Sequence, residues 1–114
     1  MEYLGDRTRA AHRLVDARLE RDQVARAFDQ LVENLRALTA AHIVHADLSV
    51  YNLLWWQGRV WIIDVPQAVE ISAHAQAFDF LHRDLRNVAG WFRSQGVPFD
   101  ADAVLIDLVS SAFG

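Results

Sequence analysis

The stretch HIVHADLSVYNLLWWQGRVWIID, residues 42–64, decides how this chain is read. It holds two apolar runs, Leu53–Trp56 and Arg59–Ile63, separated only by Gln57-Gly58. Aromatic and β-branched runs around a two-residue, glycine-bearing turn spell an antiparallel hairpin. In that register Trp56 faces Arg59, and successive pairs run outward until Asn52 lies opposite Ile63, one residue short of Asp64. Asp47 precedes Asn52 by five residues, in a short loop that leads into the first strand. Apolar strands need packing, and packing does not call for carboxylates at their ends. Asp and Asn are common turn formers. The combined spacing, His-x-Asp-x-x-x-x-Asn, then a hairpin, then Ile-Asp, is far more specific than any one of them. Hard oxygen ligands of this kind suit Mg²⁺. A carboxylate that is not a ligand can orient a hydroxyl nucleophile or accept its proton.

Outside this stretch the period is helical. Val24, Phe28, Leu31, Val32, Leu35 and Leu38 recur at three- and four-residue steps and predict an amphipathic helix over roughly 22–41, with Asp22 as its N-cap. Ala77, Phe78, Leu81, Leu85, Val88 and Phe92 predict a second helix over about 74–94, ended by Gly96 and Pro98. Asp100 or Asp102 caps a last helix carrying Val104, Leu105, Leu108 and Val109. Leu14, Val15 and Leu19 give a weaker helical spacing among arginines and acids that read as a solvated face. Residues 1–5 are short, apolar and closed by glycine, a strand end or a connector. Trp55 and Trp61 are expected to pack across the hairpin on one face.

Composition narrows the class. The chain has 114 residues, 53% of them hydrophobic and 23% charged, which fits one globular domain. A net charge of −4 argues against direct nucleic-acid binding. The absence of cysteine excludes disulfides and thiolate chemistry and suits a reducing compartment, so a cytoplasmic location is expected. The first residues lack the apolar core of a signal peptide, and no apolar run approaches the length of a membrane span. All 11 basic residues are arginine. Nucleotide-handling proteins commonly place a lysine and a glycine-rich loop on the phosphates. This chain has no lysine, and its 5 glycines form no Gly-x-Gly.

These residues resemble the protein-kinase-like superfamily, and in their detailed wording the RIO-type atypical kinases. VHADLSVYNLL, residues 44–54, is similar to that family's catalytic loop, with Ser49 and Tyr51 as family markers. IIDVPQAVE, residues 62–70, is similar to its magnesium loop. Phe80, Leu81, Arg83 and Asp84 match its F-L-x-R-D helix, and MEYLG looks like the hinge between two lobes. The resemblance implies an α+β, mainly helical C-terminal lobe over residues 1–114, with 1–5 as hinge and the N-terminal lobe absent. It implies ATP and Mg²⁺ or Mn²⁺ as cofactors and an unidentified protein substrate. Asp47 is then the catalytic Asp; Asn52 and Asp64 hold the metal, and Asp64 is also a candidate phosphoryl acceptor. Glu2 and Leu4 border the adenine through hinge backbone groups. His45, Ser49, Tyr51 and Asp84 support the loop, Asp84 from the helix beneath it.

Three departures stand out. Ala11-His12 replaces the family's Ala-Pro, His74-Ala75 replaces its His-Pro, and Ala46 stands where ordinary kinases have arginine. A long activation segment is also lacking. Two other functions compete: a small-molecule phosphotransferase of the aminoglycoside or choline kinase type, and a non-catalytic kinase-lobe binding module. The expected partner in every catalytic reading is the missing N-terminal lobe, in cis or in trans.

Overall fold

Gln57 and Gly58 both adopt positive φ, 50° and 72°. That pair of left-handed residues is what a two-residue turn needs if its twist is to match the strands it joins. The strands are β3, Leu53–Trp56, and β4, Arg59–Ile62. They pair Trp56 with Arg59 and Leu53 with Ile62. Ile63 falls just past the strand but still donates its N–H to the Asn52 carbonyl at 2.9 Å, so the pairing runs one step further, as the register predicts.

The computed structural model describes residues 12–63, 69–71 and 76–113. In chain order these form β1 (His12–Arg13), a 3₁₀ turn (Leu14–Asp16), α1 (Arg21–Ala40) and β2 (Ile43–Val44). A second 3₁₀ turn (Val50–Asn52) then leads into β3 and β4, followed by β5 (Val69–Glu70), α2 (Ala77–Ser94) and α3 (Ala101–Phe113). One antiparallel sheet has the order β1-β3-β4, and a smaller one pairs β2 with β5. The architecture is α+β, dominated by three helices of 20, 18 and 13 residues.

The helical stripes form the core. Val24, Leu31 and Leu35 of α1 and Leu81, Leu85, Val88 and Phe92 of α2 are buried together with Leu53, Val60 and Ile62 of the hairpin. Phe28, Phe92 and Phe99 close the cluster edge-on and tilted, with centroids 5.0–5.8 Å apart. At the end of α2, Val97 donates to the Phe92 carbonyl and Gly96 to that of Arg93. Gly96, at φ 85°, takes the left-handed position this C-cap requires.

The free edge of β4 is covered by side chains of α1. Gln30 accepts from the Val60 N–H at 2.9 Å and donates to the Gly58 carbonyl at 3.1 Å, while Asn34 donates to the Val60 carbonyl at 3.3 Å. Strand edges left bare invite pairing with other chains. Here two amide side chains complete the ladder instead.

Several expectations are corrected. The N-cap of α1 is Glu20, not Asp22: Glu20 and Gln23 close a reciprocal capping box, and Asp22 sits inside the first turn, 3.5 Å from Arg26. Of the two residues expected to cap α3, Asp100 does so, accepting from the Asp102 and Ala103 N–H groups. Residues 14–16 form a 3₁₀ turn and 17–19 are irregular, so no α-helix forms there. Trp61 meets Trp56, centroids 6.3 Å apart, and not Trp55. Trp55 lies across from Val60, so side-chain alternation puts it on the other face. Phe78 falls off the buried stripe, is 43% exposed and leans on Phe113. The proposed start of the second helix at His74 lies outside the described residues.

Candidate active site

The loop between β2 and the 3₁₀ turn at Val50 carries His45, Asp47 and Ser49, and its backbone is tied down from below by α2. Asp84, only 1% exposed, accepts from the Ala46 N–H at 2.8 Å and from the Leu48 N–H at 3.0 Å. Arg83 donates to the Ala46 carbonyl and stacks over Phe80, 4.9 Å from the ring centroid. Asn87 donates to the Leu48 carbonyl at 3.3 Å. Both residues flanking Asp47 therefore have N–H and C=O engaged by one face of one helix. Burial raises the Asp84 carboxyl above the usual range, opposed by the two N–H bonds it accepts and by the nearby charge of Arg83.

His45 pins the loop from the side. Its ring, 2% exposed, accepts from the Asp47 N–H at Nδ1, 3.2 Å away, so Nε2 carries the hydrogen and donates to the Ile63 carbonyl at 2.8 Å. One imidazole thus joins the loop to the end of β4. Ala46 takes up the sharp turn at φ 72°. Asp47 itself is exposed, and no hydrogen bond or ion pair among the described residues engages its carboxylate.

Asn52 ends the 3₁₀ turn at the mouth of the hairpin. Its Oδ1 accepts from the Ser49 N–H at 2.9 Å and from the Ser49 hydroxyl at 3.0 Å. The amide is thereby fixed in orientation, since its NH₂ end would face the Ser49 N–H if turned over. Val50 points inward to the core, and Tyr51, expected to brace the loop, points outward with 59% exposure. Within a three-residue 3₁₀ turn, one side chain that faces the core leaves its neighbour facing water.

A family model for the RIO domain matches residues 1–104. The chain belongs to the RIO family. It is 42% identical over 104 residues to the RIO-type serine/threonine-protein kinase Rio1 of Haloferax volcanii, covering 91% of this chain and 35% of that protein. Against Rio1 of Thermoplasma acidophilum it is 36% identical over 104 residues, 91% of this chain and 53% of the relative. Human serine/threonine-protein kinase RIO3 is 40% identical over 98 residues, 85% of this chain and 19% of the relative. This RIO domain therefore spans between about a fifth and about half the length of these curated relatives.

Of the residues singled out in the sequence, the described part of this RIO domain brings together His45, Asp47, Ser49, Asn52 and Asp84. Asp64, Glu2 and Leu4 lie outside the described residues. Among the described residues no group of three His, Cys, Asp or Glu is placed to hold a metal, and no helix is long and apolar enough to cross a membrane. Asn87 was missed, and Arg83 was matched without a role. Both act on backbone atoms, which leave no trace in a list of chemically reactive residues. The available signal was spacing: residues 83, 84 and 87 share one helical face.

Proposed function

We propose that this chain is the carboxylate-bearing lobe of a RIO-type, ATP-dependent phosphoryl transferase acting on protein serine or threonine, or on water. The observation that carries this reading is Asp47 itself. Its carboxylate is exposed and, among the described residues, uncommitted, on a loop whose backbone is held on both sides by α2. Such a carboxylate suits the task of orienting an acceptor hydroxyl and taking its proton. The family names its curated relatives carry, serine/threonine-protein kinases, support the same reaction class.

The donor set fits a divalent cation by its chemistry. Asn52 offers an amide oxygen, and Asp64 follows directly on Ile63, whose N–H is bonded to the Asn52 carbonyl. Among the described donors to Asn52 Oδ1, the Ser49 hydroxyl hydrogen can rotate away, which would open a lone pair toward Mg²⁺ or Mn²⁺. Bound there, the metal would neutralise phosphate charge. Asp64 is a second ligand in this proposal and a candidate acceptor for the phosphoryl group. The lysine and glycine-rich cover for the triphosphate come from polypeptide beyond these 114 residues, and Glu2 and Leu4 contribute to the adenine side.

The test joins this chain, in cis or in trans, to a lysine-bearing phosphate-loop lobe of a RIO relative. Mg²⁺-dependent ATP turnover is expected in the joined protein and very slow turnover in the chain alone. Asp64→Ala should abolish turnover, and Asp47→Ala should abolish or severely impair transfer to an external acceptor. Full activity in a joined protein carrying both substitutions overturns the proposal. Turnover by the chain alone at roughly 1–100 s⁻¹ overturns the assignment of the phosphate cover to another segment.

A further inference from the structure

We infer that Asn87 is a positioning residue that aims the side-chain amide of Asn52 through a single peptide unit, an inference that rests on the proposed role of Asn52 toward the cation. The Leu48 carbonyl and the Ser49 N–H belong to the same rigid plane. Asn87 Nδ2 holds the carbonyl end at 3.3 Å. The N–H end donates to Asn52 Oδ1 at 2.9 Å. If the plane rotates, the Asn52 amide loses the backbone donor that this peptide unit aims at it. Asp84 cannot do this work. Its two bonds fix the N–H groups of Ala46 and Leu48, which belong to the preceding peptide units. Arg83 holds the Ala46 carbonyl, in the unit that ends in the Asp47 N–H. The face of α2 thus divides its labour: Arg83 serves the carboxylate at 47, and Asn87 serves the amide at 52.

Asn87 is exposed, so its amide is not there to fill the core. Asn87→Leu keeps its size and removes the donor, and Asn87→Gln keeps a donor on a longer arm. Amide hydrogen exchange on the ¹⁵N-labelled chain reads the peptide unit directly. In Asn87→Leu the Ser49 N–H should exchange about two- to ten-fold faster, the factor one net hydrogen bond supports. The Ala46 and Leu48 N–H groups, held by Asp84, should keep their wild-type rates. Asn87→Gln should restore part of the protection at Ser49. An unchanged Ser49 rate, or an equal acceleration at Ala46, Leu48 and Ser49, overturns the relay.

A second arm titrates Mn²⁺ and follows paramagnetic broadening of the Asn52 side-chain NH₂ signals. Asn87→Leu should need about two- to ten-fold more Mn²⁺ for the same broadening. If Mn²⁺ leaves those signals untouched in the wild-type chain, the proposed cation role of Asn52 falls, while the exchange rates still decide the relay on their own.

Discussion

Replacing Asp84 by alanine removes both acceptors that hold the loop from below. The Leu48 N–H is fully buried and would be left without a partner, a loss of about 1–3 kcal/mol. The Ala46 N–H lies in a half-buried residue that water can reach, so its loss adds about 1 kcal/mol or less. Against this stands relief from burying a carboxylate, whose raised pKa records that desolvation outweighs the bonds and charges favouring its ionised form. The net expectation is a destabilisation of about 1–3 kcal/mol. For a domain of this size that lowers the melting temperature by at least about 4 °C. Thermal and urea unfolding followed by the fluorescence of the four tryptophans measures it. A melting temperature within about 1 °C of wild type would refute the view that Asp84 secures the loop.

Three other outcomes follow from the same geometry. Because the folded-state pKa of Asp84 is raised, the protonation-dependent part of its contribution is complete below the unfolded value near 3.8 and is lost as pH rises through the folded value, while the two N–H bonds it accepts remain. The stability advantage of wild type over Asp84→Asn should therefore shrink as pH rises across that window, and a growing advantage would contradict the sign. At the left-handed Ala46, a β-branched side chain meets the steric limit, so Ala46→Val should cost about 1 kcal/mol or more while Ala46→Gly is close to neutral, both read by urea midpoint. Gln30→Ala uncovers the Val60 N–H and the Gly58 carbonyl; it should cost about 1–2 kcal/mol and raise concentration-dependent self-association in sedimentation runs.

Much of the fold is written locally. The Gln57-Gly58 turn sets the hairpin register, and the register alone carries Asn52 to Ile63. The stripes of α1 and α2 are legible because burial repeats with the helical period. What escaped has no period. The two-residue strand His12–Arg13 exists only because Leu54 and Trp55, some forty residues on, offer it a ladder. Asp22 looked like a cap because propensity favours it, but the reciprocal fit of Glu20 with Gln23 wins. The Trp55–Trp61 pairing failed on parity, since a strict alternation separates them once Trp55 is set across from Val60. At the site, the identities of Asp47 and Asn52 came from spacing, and the role of Asp84 came from resemblance. The bonds of Arg83 and Asn87 to main-chain oxygens required coordinates.

The clamp on the loop grips only peptide groups. Asp84, Arg83, Asn87 and His45 bind N–H and C=O atoms that every residue except proline possesses. The scaffold is therefore blind to which side chain stands at position 47. A lineage could exchange Asp47 for another residue and keep the same folded lobe, removing the proposed chemistry in one step without a penalty in folding. Descent from working enzyme to inert relative is, in this architecture, a short walk, and its trace would be a change at 47 beside an intact face of α2.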